Sequence, residues 1–229
     1  MAVSEFRAAN LPQSTELFRG LDARQIDLIL ASARLRRFSA KSAMTHQGEP
    51  SAHLFLLWKG RARYFFITPG GRKIILRWIT PGQVFGVGAL APQPSRYLVS
   101  TEAVRDSAGL VWDGPTIRNL GRRFPELLEN AVLITADYIL WYVAAHTGLI
   151  SQTAPERLAS VLWGLANRFG QKSSVGIELD VTNEELAYSA NITPYTTSRI
   201  MRKWKKIGAI HKKRGKIVLY ADRFFSRVA

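Results

Sequence analysis

Residues 182–208 read TNEELAYSANITPYTTSRIMRKWKKIG, and the order of residue types in this stretch specifies two short helices meeting at a tight turn. Thr182-Asn183-Glu184-Glu185 is a capping box: the Thr182 hydroxyl can accept from the third amide of a helix while Glu185 reaches back. The helix behind it runs to about residue 190 and turns Leu186 and Ala187 inward, the small Ala187 suiting a close helix crossing. Asn191 stands where the chain must reverse, and asparagine is among the few non-glycine residues that tolerate positive φ. Thr193 then supplies an N-cap and Pro194 an N1 proline, two independent start signals. Ile200, Trp204 and Ile207 give the second helix an expected buried stripe, and Gly208 stops it.

Two short helices around an Asn-Ile-Thr turn make a helix-turn-helix, whose second helix enters the major groove of DNA with its N-terminal side chains toward base edges. Away from Ile200 and Trp204 lie Tyr195, Thr196, Ser198 and Arg199, the expected base-reading set. The Arg199 guanidinium can pair bidentately with guanine O6 and N7. Ser198 and Thr196 can bond base or phosphate, and Thr196 and the Tyr195 ring can also touch a thymine methyl. Thr182, Thr193, Arg202, Lys203 and Lys206 are expected on phosphates, which position a protein without reading sequence. Residues 209–219, AIHKKRGKIVL, form two β runs around an Arg-Gly turn. That is a hairpin wing, which places Lys213 and Arg214 against the adjacent DNA backbone.

Charge supports this reading. The 229 residues hold 32 Lys+Arg against 17 Asp+Glu, a formal net charge of +15. Residues 151–229 carry 14 basic and six acidic residues, and between Arg199 and Lys216 there are nine basic residues and no acidic one. Such a field favours polyanions. A hydrophobic content of 47% excludes a disordered chain, and the absence of cysteine excludes disulfides, thiol catalysis and cysteine-ligated iron–sulfur clusters. No Gly-x-Ser-x-Gly, phosphate-binding loop or close metal-ligand spacing occurs, so an enzyme is not expected and no metal site is assigned. The beginning lacks the apolar core of a signal peptide, and the most apolar stretch, residues 131–150, carries Asp137, His146 and two threonines. These features favour a cytoplasmic protein with no membrane partner.

Working back toward the N-terminus, a long helix is expected from Pro125 to about residue 147. Val132, Ala136, Ile139, Val143, His146 and Ile150 recur at spacings of four and three, a heptad seam for pairing two such helices. Leu128, Leu133 and Leu140 lie to one side and are expected to pack back on the preceding domain. Residues 148–153 are the expected hinge. From Leu35 to about Val111, short apolar runs alternate with turns at Lys59-Gly60, Pro69-Gly70-Gly71 and Pro81-Gly82, the pattern of a small β-barrel or sandwich. Residues 15–33 form a leading helix pair broken at Gly20, with Asp22 capping the second piece. The fold class is therefore α+β, with a β domain over 1–124, a pairing helix and hinge over 125–150, and a winged helix-turn-helix domain over 151–229.

This order of parts resembles the CRP/FNR family of bacterial transcription regulators over nearly the whole chain. The most specific pieces are the glycine-punctuated β region (Gln47-Gly48, Lys59-Gly60, Pro81-Gly82, Phe85-Gly86) and Thr193-Pro-Tyr-Thr-Thr-Ser-Arg199. The resemblance implies a double-stranded β-helix, or β-roll, sensor domain like that which binds cyclic nucleotides. It also implies a homodimer on palindromic double-stranded DNA, with RNA polymerase as a partner. The candidate effector pocket is Phe85, Gly86, Val87, Gly88, Arg96 and Tyr97.

The sequence departs from two branches of that family. Cyclic-nucleotide binders place a glutamate where Val87 stands and a serine after the arginine, where Tyr97 stands, so cyclic AMP is not expected. The oxygen-sensing branch needs cysteines. Haem is not expected either: His46 and His53 read as loop residues, His146 as a seam residue and His211 as part of the wing. Many relatives place a glutamate where Tyr195 stands, so readout of that base pair must differ here. Two alternatives stay open at this point: a regulator that binds DNA without an effector, and a basic small-molecule-binding module that contacts RNA or an anionic membrane.

Overall fold

The computed structural model describes residues 6–12, 15–93, 95–213, 216–222 and 224. The chain divides into two compact units, residues 1–66 with 76–141 and residues 67–75 with 142–229.

Residues 34–113 hold β1 (Arg34–Phe38), β2 (Ala43–Thr45), β3 (His53–Lys59), β4 (Ala62–Ile67), β5 (Lys73–Ile79), β6 (Val84–Phe85), β7 (Ser100–Ala103) and β8 (Ser107–Asp113). They form two antiparallel four-stranded sheets, ordered β1-β8-β3-β6 and β2-β7-β4-β5. The central strands of the first sheet, β3 and β8, are buried on both faces, which explains the unbroken apolar run in β3. Its residues alternate between two cores, because successive side chains of a strand point to opposite faces. Leu54 and Leu56, with Leu110 and Trp112 of β8, join Leu17, Ile29, Ile117 and Leu127 of the helical layer. Phe55 and Leu57, with Val111, join Met44, Tyr64 and Ile79 of the second sheet.

Helix α1 (Ala23–Ala31) begins at the expected Asp22, whose carboxylate accepts from the Gln25 amide at 2.8 Å while Gln25 answers with its own side chain. The piece before Gly20 is a single 3-10 turn, Glu16–Phe18. Trp112, fully buried, donates its indole N–H to the Ile29 carbonyl at 2.9 Å and so ties β8 to α1. A helix beyond those expected follows β8: α2 (Gly114–Arg123), capped by Asp113 and carrying a proline in its first turn. Asp113-Gly114-Pro115-Thr116, with Ile117 and Leu120 behind it, held that signal.

Helix α3 (Glu126–Ser151) is the expected long helix. The face that it turns into the first unit is Leu127, Asn130, Ala131 and Ile134, with Tyr138 partly covered. Asn130 donates to the carbonyls of Leu17 and Arg19 at 2.9 and 2.8 Å. Leu128, Leu133 and Leu140, expected on that face, are instead exposed. Nearly the whole circumference of α3 is apolar, so periodicity alone could not choose the packing arc. The six seam residues are exposed as well, Val132 at 67% and Ile139 and Val143 at 58% each. By length and composition α3 is the one helix among the described residues apolar enough to cross a membrane.

The connection between the long helix and the next is shorter than the expected hinge of residues 148–153. Helix α3 continues to Ser151 and α4 (Ala154–Phe169) begins two residues later, at a capping box of Thr153 and Glu156. The second unit continues with β9 (Gln171–Ser173), β10 (Gly176–Leu179), α5 (Asn183–Ala190), α6 (Pro194–Lys206), β11 (Ile210–Lys213) and β12 (Lys216–Leu219). Its sheet is ordered β11-β12-β10-β9, so the expected wing hairpin is the edge of a four-stranded antiparallel sheet. The β9–β10 hairpin was not anticipated from sequence.

Candidate nucleic-acid interface

Helix α5 starts at the Thr182 capping box, with the Thr182 hydroxyl accepting from the Glu185 amide at 3.1 Å and Glu185 accepting from the Thr182 amide at 2.8 Å. It ends at Asn191, whose φ of 52° and ψ of 47° are the left-handed conformation the turn requires. Thr193 caps α6 by accepting from the Thr196 amide at 3.0 Å, and Pro194 fills the first turn. The capping and turn signals at Thr182, Asn191, Thr193 and Pro194 are used as expected.

Under α6 the buried stripe is Thr197, Ile200, Met201 and Trp204, and Trp204 meets the Phe224 ring edge-on at 5.4 Å. Ile207 is not part of it: it is the C-cap and is exposed, because the helix ends before completing the turn that would bury it. Thr197 is fully buried, and its hydroxyl has no hydrogen-bond partner among the described residues.

The opposite face is open. Tyr195 is 78% exposed, Arg199, Arg202, Lys203, Lys205 and Lys206 are exposed, and Thr196 and Ser198 are half-buried. Three expected DNA contacts have hydroxyls already engaged by the fold. Thr182 also pairs with its Glu185 carboxylate at 3.1 Å, and Thr193 and Thr196 share a hydrogen bond of 2.9 Å. Thr196 can therefore offer its methyl more readily than its hydroxyl. The carboxylates of Glu184 and Glu185 are also tied to local partners, Tyr188 and Thr182.

Two residues that the sequence reading did not single out join this surface. Asn183, the first residue of α5, donates to the Ser198 hydroxyl at 3.1 Å and accepts from the Lys212 ammonium on β11 at 2.7 Å. Burial, and secondarily the Lys205 charge, hold the Lys212 ammonium below the usual lysine range. On the wing, Lys213 ends β11, paired with Lys216 across the hairpin, and Lys216 reaches Glu178 at 3.2 Å. The Lys213 side chain and the whole of Arg214 lie outside the described residues.

In the first unit, the candidate effector cassette is closed on itself. The Phe85 ring stacks on Phe55 with centroids 4.6 Å apart and planes 2° from parallel, and Val87 packs into the helical-side core. Gly86 has a φ of 77°, and a Cβ there would meet the His53 carbonyl oxygen at 2.4 Å, so the position admits only glycine. The Tyr97 hydroxyl lies 3.2 Å from both the amide nitrogen and the carbonyl oxygen of His53, and burial raises its pKa. Arg96 is exposed and donates to the Gly48 carbonyl at 2.5 Å. A cyclic nucleotide needs an acceptor for its ribose and a free guanidinium for its phosphate. Val87 supplies no acceptor for the ribose, and one nitrogen of the Arg96 guanidinium is already given to Gly48. A cavity of about 240 Å³ in the same unit has Ser51, Ser95 and Arg118 in its wall, and none of the six cassette residues. Among the described residues no group of three or more His, Asp or Glu converges to hold a metal ion.

Residues 35–124 match the model of the cyclic nucleotide-binding domain, and residues 156–223 match that of the Crp-like helix-turn-helix domain. The chain belongs to the CRP/FNR family. It therefore carries the β-roll and the helix-turn-helix DNA-binding domain of this group of transcription regulators. A cyclic AMP receptor protein of Thermus thermophilus is 25% identical over 198 residues, covering 86% of this chain and 89% of the relative. Electron transport regulator A of Shewanella oneidensis is 27% identical over 182 residues, covering 76% and 70%. A solved structure of the c-di-GMP responsive regulator CLP of Xanthomonas campestris superposes with a TM-score of 0.77 at 19% identity, over 87% of this chain and 99% of that one. That likeness shows a shared CRP/FNR fold.

Proposed function

We propose that this chain acts as a homodimer on a palindromic site in double-stranded DNA, in the cytoplasm, with Arg199 reading a guanine in each half-site. The observation that carries the reading is the two-sided character of α6. Ile200, Met201 and Trp204 hold it onto the domain, while Arg199 and Tyr195 stand in solvent beside a run of cations free of acidic residues. Ser198 and Tyr195 flank Arg199, and the Thr196 methyl offers an apolar contact. Arg202, Lys203 and Lys206, with Lys213 and Arg214 of the wing, neutralise phosphates. Thr182 and Thr193 serve the same backbone through the two helix N-termini that they cap.

The exposed apolar arc of α3 supports pairing with a second copy through Val132, Ala136, Ile139, Val143 and His146. Two such chains present their α6 helices one DNA turn apart. This reading has RNA polymerase as the downstream partner, and no catalytic step.

The valine at position 87, where cyclic-nucleotide binders carry a glutamate, disfavours cyclic AMP as an effector. Relatives carry names that point to cyclic AMP, electron transport and c-di-GMP, so the family fixes no single ligand. The self-closed cassette of Phe85, Gly86, Val87, Gly88, Arg96 and Tyr97 favours either a different small molecule or DNA binding without one. The test is selection of bound duplexes from a random pool by the full chain, with and without a small-molecule cell extract. Enrichment of a palindrome supports the reading, and extract dependence reveals an effector. Recovery of no duplex sequence, or of RNA in preference to duplex, overturns it.

A further inference from the structure

We propose that Asn183 turns the Ser198 hydroxyl outward as a hydrogen-bond donor, so that Ser198 selects a lone-pair acceptor on the DNA. This inference rests on the DNA-binding reading above and specifies what one of its residues recognises.

Polarity follows from the chemistry of the three partners. A lysine ammonium has three donors and no acceptor. The amide atom of Asn183 that faces Lys212 at 2.7 Å must therefore be its oxygen. Turned the other way, the amide would set its NH₂ against the ammonium, donor against donor. With the oxygen fixed there, the end of the amide that faces Ser198 at 3.1 Å is the NH₂, which only donates, so the serine oxygen accepts. That bond occupies one of the two lone pairs of Ser198 and turns its proton away from Asn183, so the hydroxyl keeps its one donor for an outside partner beside a single remaining lone pair.

That proton has no other use. A serine inside a helix ordinarily gives it to the carbonyl four residues back, as Ser151 does to Thr147 at 2.8 Å. Among the described residues Ser198 makes no such bond to Pro194, and its hydrogen-bond partner is Asn183. The sequence ammonium, amide, hydroxyl is a chain in which each donation polarises the next. Its free end lies beside the exposed Arg199 on the face that meets DNA. The three members come from α5, α6 and β11, so the wing and the first helix jointly set what the second helix reads. Asn183 is thus a positioning residue, and the reader is Ser198.

Two sources offer the acceptor: a base edge (purine N7, guanine O6 or thymine O4) or a phosphate oxygen. Full-length protein is measured on its selected duplex and on versions carrying 7-deazapurines, 4-thiothymine or single methylphosphonates, one position at a time. One altered position should weaken binding by roughly 2- to 10-fold in the wild type and by nothing in Ser198→Ala. A base analogue identifies base readout and a methylphosphonate identifies backbone readout.

Asn183→Asp is the decisive variant. A carboxylate only accepts, so it draws the Ser198 proton inward, and the same altered position should lose its effect although Ser198 is intact. The added charge weakens every duplex alike and leaves that ratio untouched. Circular dichroism checks the fold, which aspartate at a helix start favours. The proposal is overturned if Asn183→Asp keeps the full penalty, or if no altered position depends on Ser198. Should the protein bind no specific duplex at all, the DNA-binding reading fails first, and the two failures are thereby distinct.

Discussion

The Tyr138 hydroxyl of α3 donates to the Val84 carbonyl of β6 at 2.7 Å, joining the long helix to the strand that leads into the glycine cassette. The same ring meets Tyr64 edge-on at 5.9 Å and lies 4.3 Å from the Arg77 guanidinium. One residue thus anchors α3 to the β-roll by a hydrogen bond, an aromatic contact and a cation–π contact. Tyr138→Phe keeps the ring and loses the hydroxyl, and should lower unfolding free energy by about 0.5–1.5 kcal/mol. Tyr138→Ala, which loses all three contacts, should cost more. Denaturant titration measures both, and equal stability of the two variants would contradict this assignment.

The buried hydroxyl of Thr197 stands against the stability of α6, since a desolvated polar group without a partner costs about 1–3 kcal/mol. Thr197→Val keeps the shape and removes the hydroxyl. It should raise the melting temperature, with DNA affinity unchanged because the side chain faces the core.

The exposed seam on α3 should be a protein contact. Ile139→Glu combined with Val143→Glu places four carboxylates in a paired interface, and the double variant should run as a monomer in sedimentation. Binding to a palindrome should fall together with assembly. A variant that remains dimeric would place the interface elsewhere.

How much of this was legible depends on how local each signal is. The helix-turn-helix could be read because Thr182, Asn191, Thr193 and Pro194 act within four residues of themselves. Helix α2 carries equally local signals, the Asp113 cap and Pro115 in its first turn. The packing face of α3 could not be read: Leu127 and Leu128 have equal hydropathy, and only the position of Leu17 and Ile117 decides which is covered. The engagement of Thr182 and Thr196 by their own caps was partly foreseeable, whereas the Lys212–Asn183–Ser198 chain links positions far apart in sequence and needed the fold.

The Asp113 carboxylate caps α2 through the Thr116 amide at 2.8 Å, and that bond, followed by the Thr116 hydroxyl, lowers its pKa. A carboxylate with a lowered native pKa contributes stability in full above its unfolded value near about 4 and loses it as pH falls through the native value. Asp113→Asn should therefore flatten the acid limb of the stability profile below about pH 4. At neutral pH it should change stability by less than about 1 kcal/mol, since asparagine caps nearly as well. An unchanged acid limb would contradict this role.

Binding to a set of duplexes in which each base pair of the selected half-site is replaced in turn addresses the role of Arg199 most directly. One guanine per half-site should be required by the wild type. Arg199→Ala should cost about 1–3 kcal/mol on the specific site and remove the preference at that position alone, whereas Lys206→Ala should weaken all duplexes alike and lower the salt slope by about 1. Equal affinity for all four bases at every position, with Arg199→Ala no different from wild type, would contradict base readout by this helix.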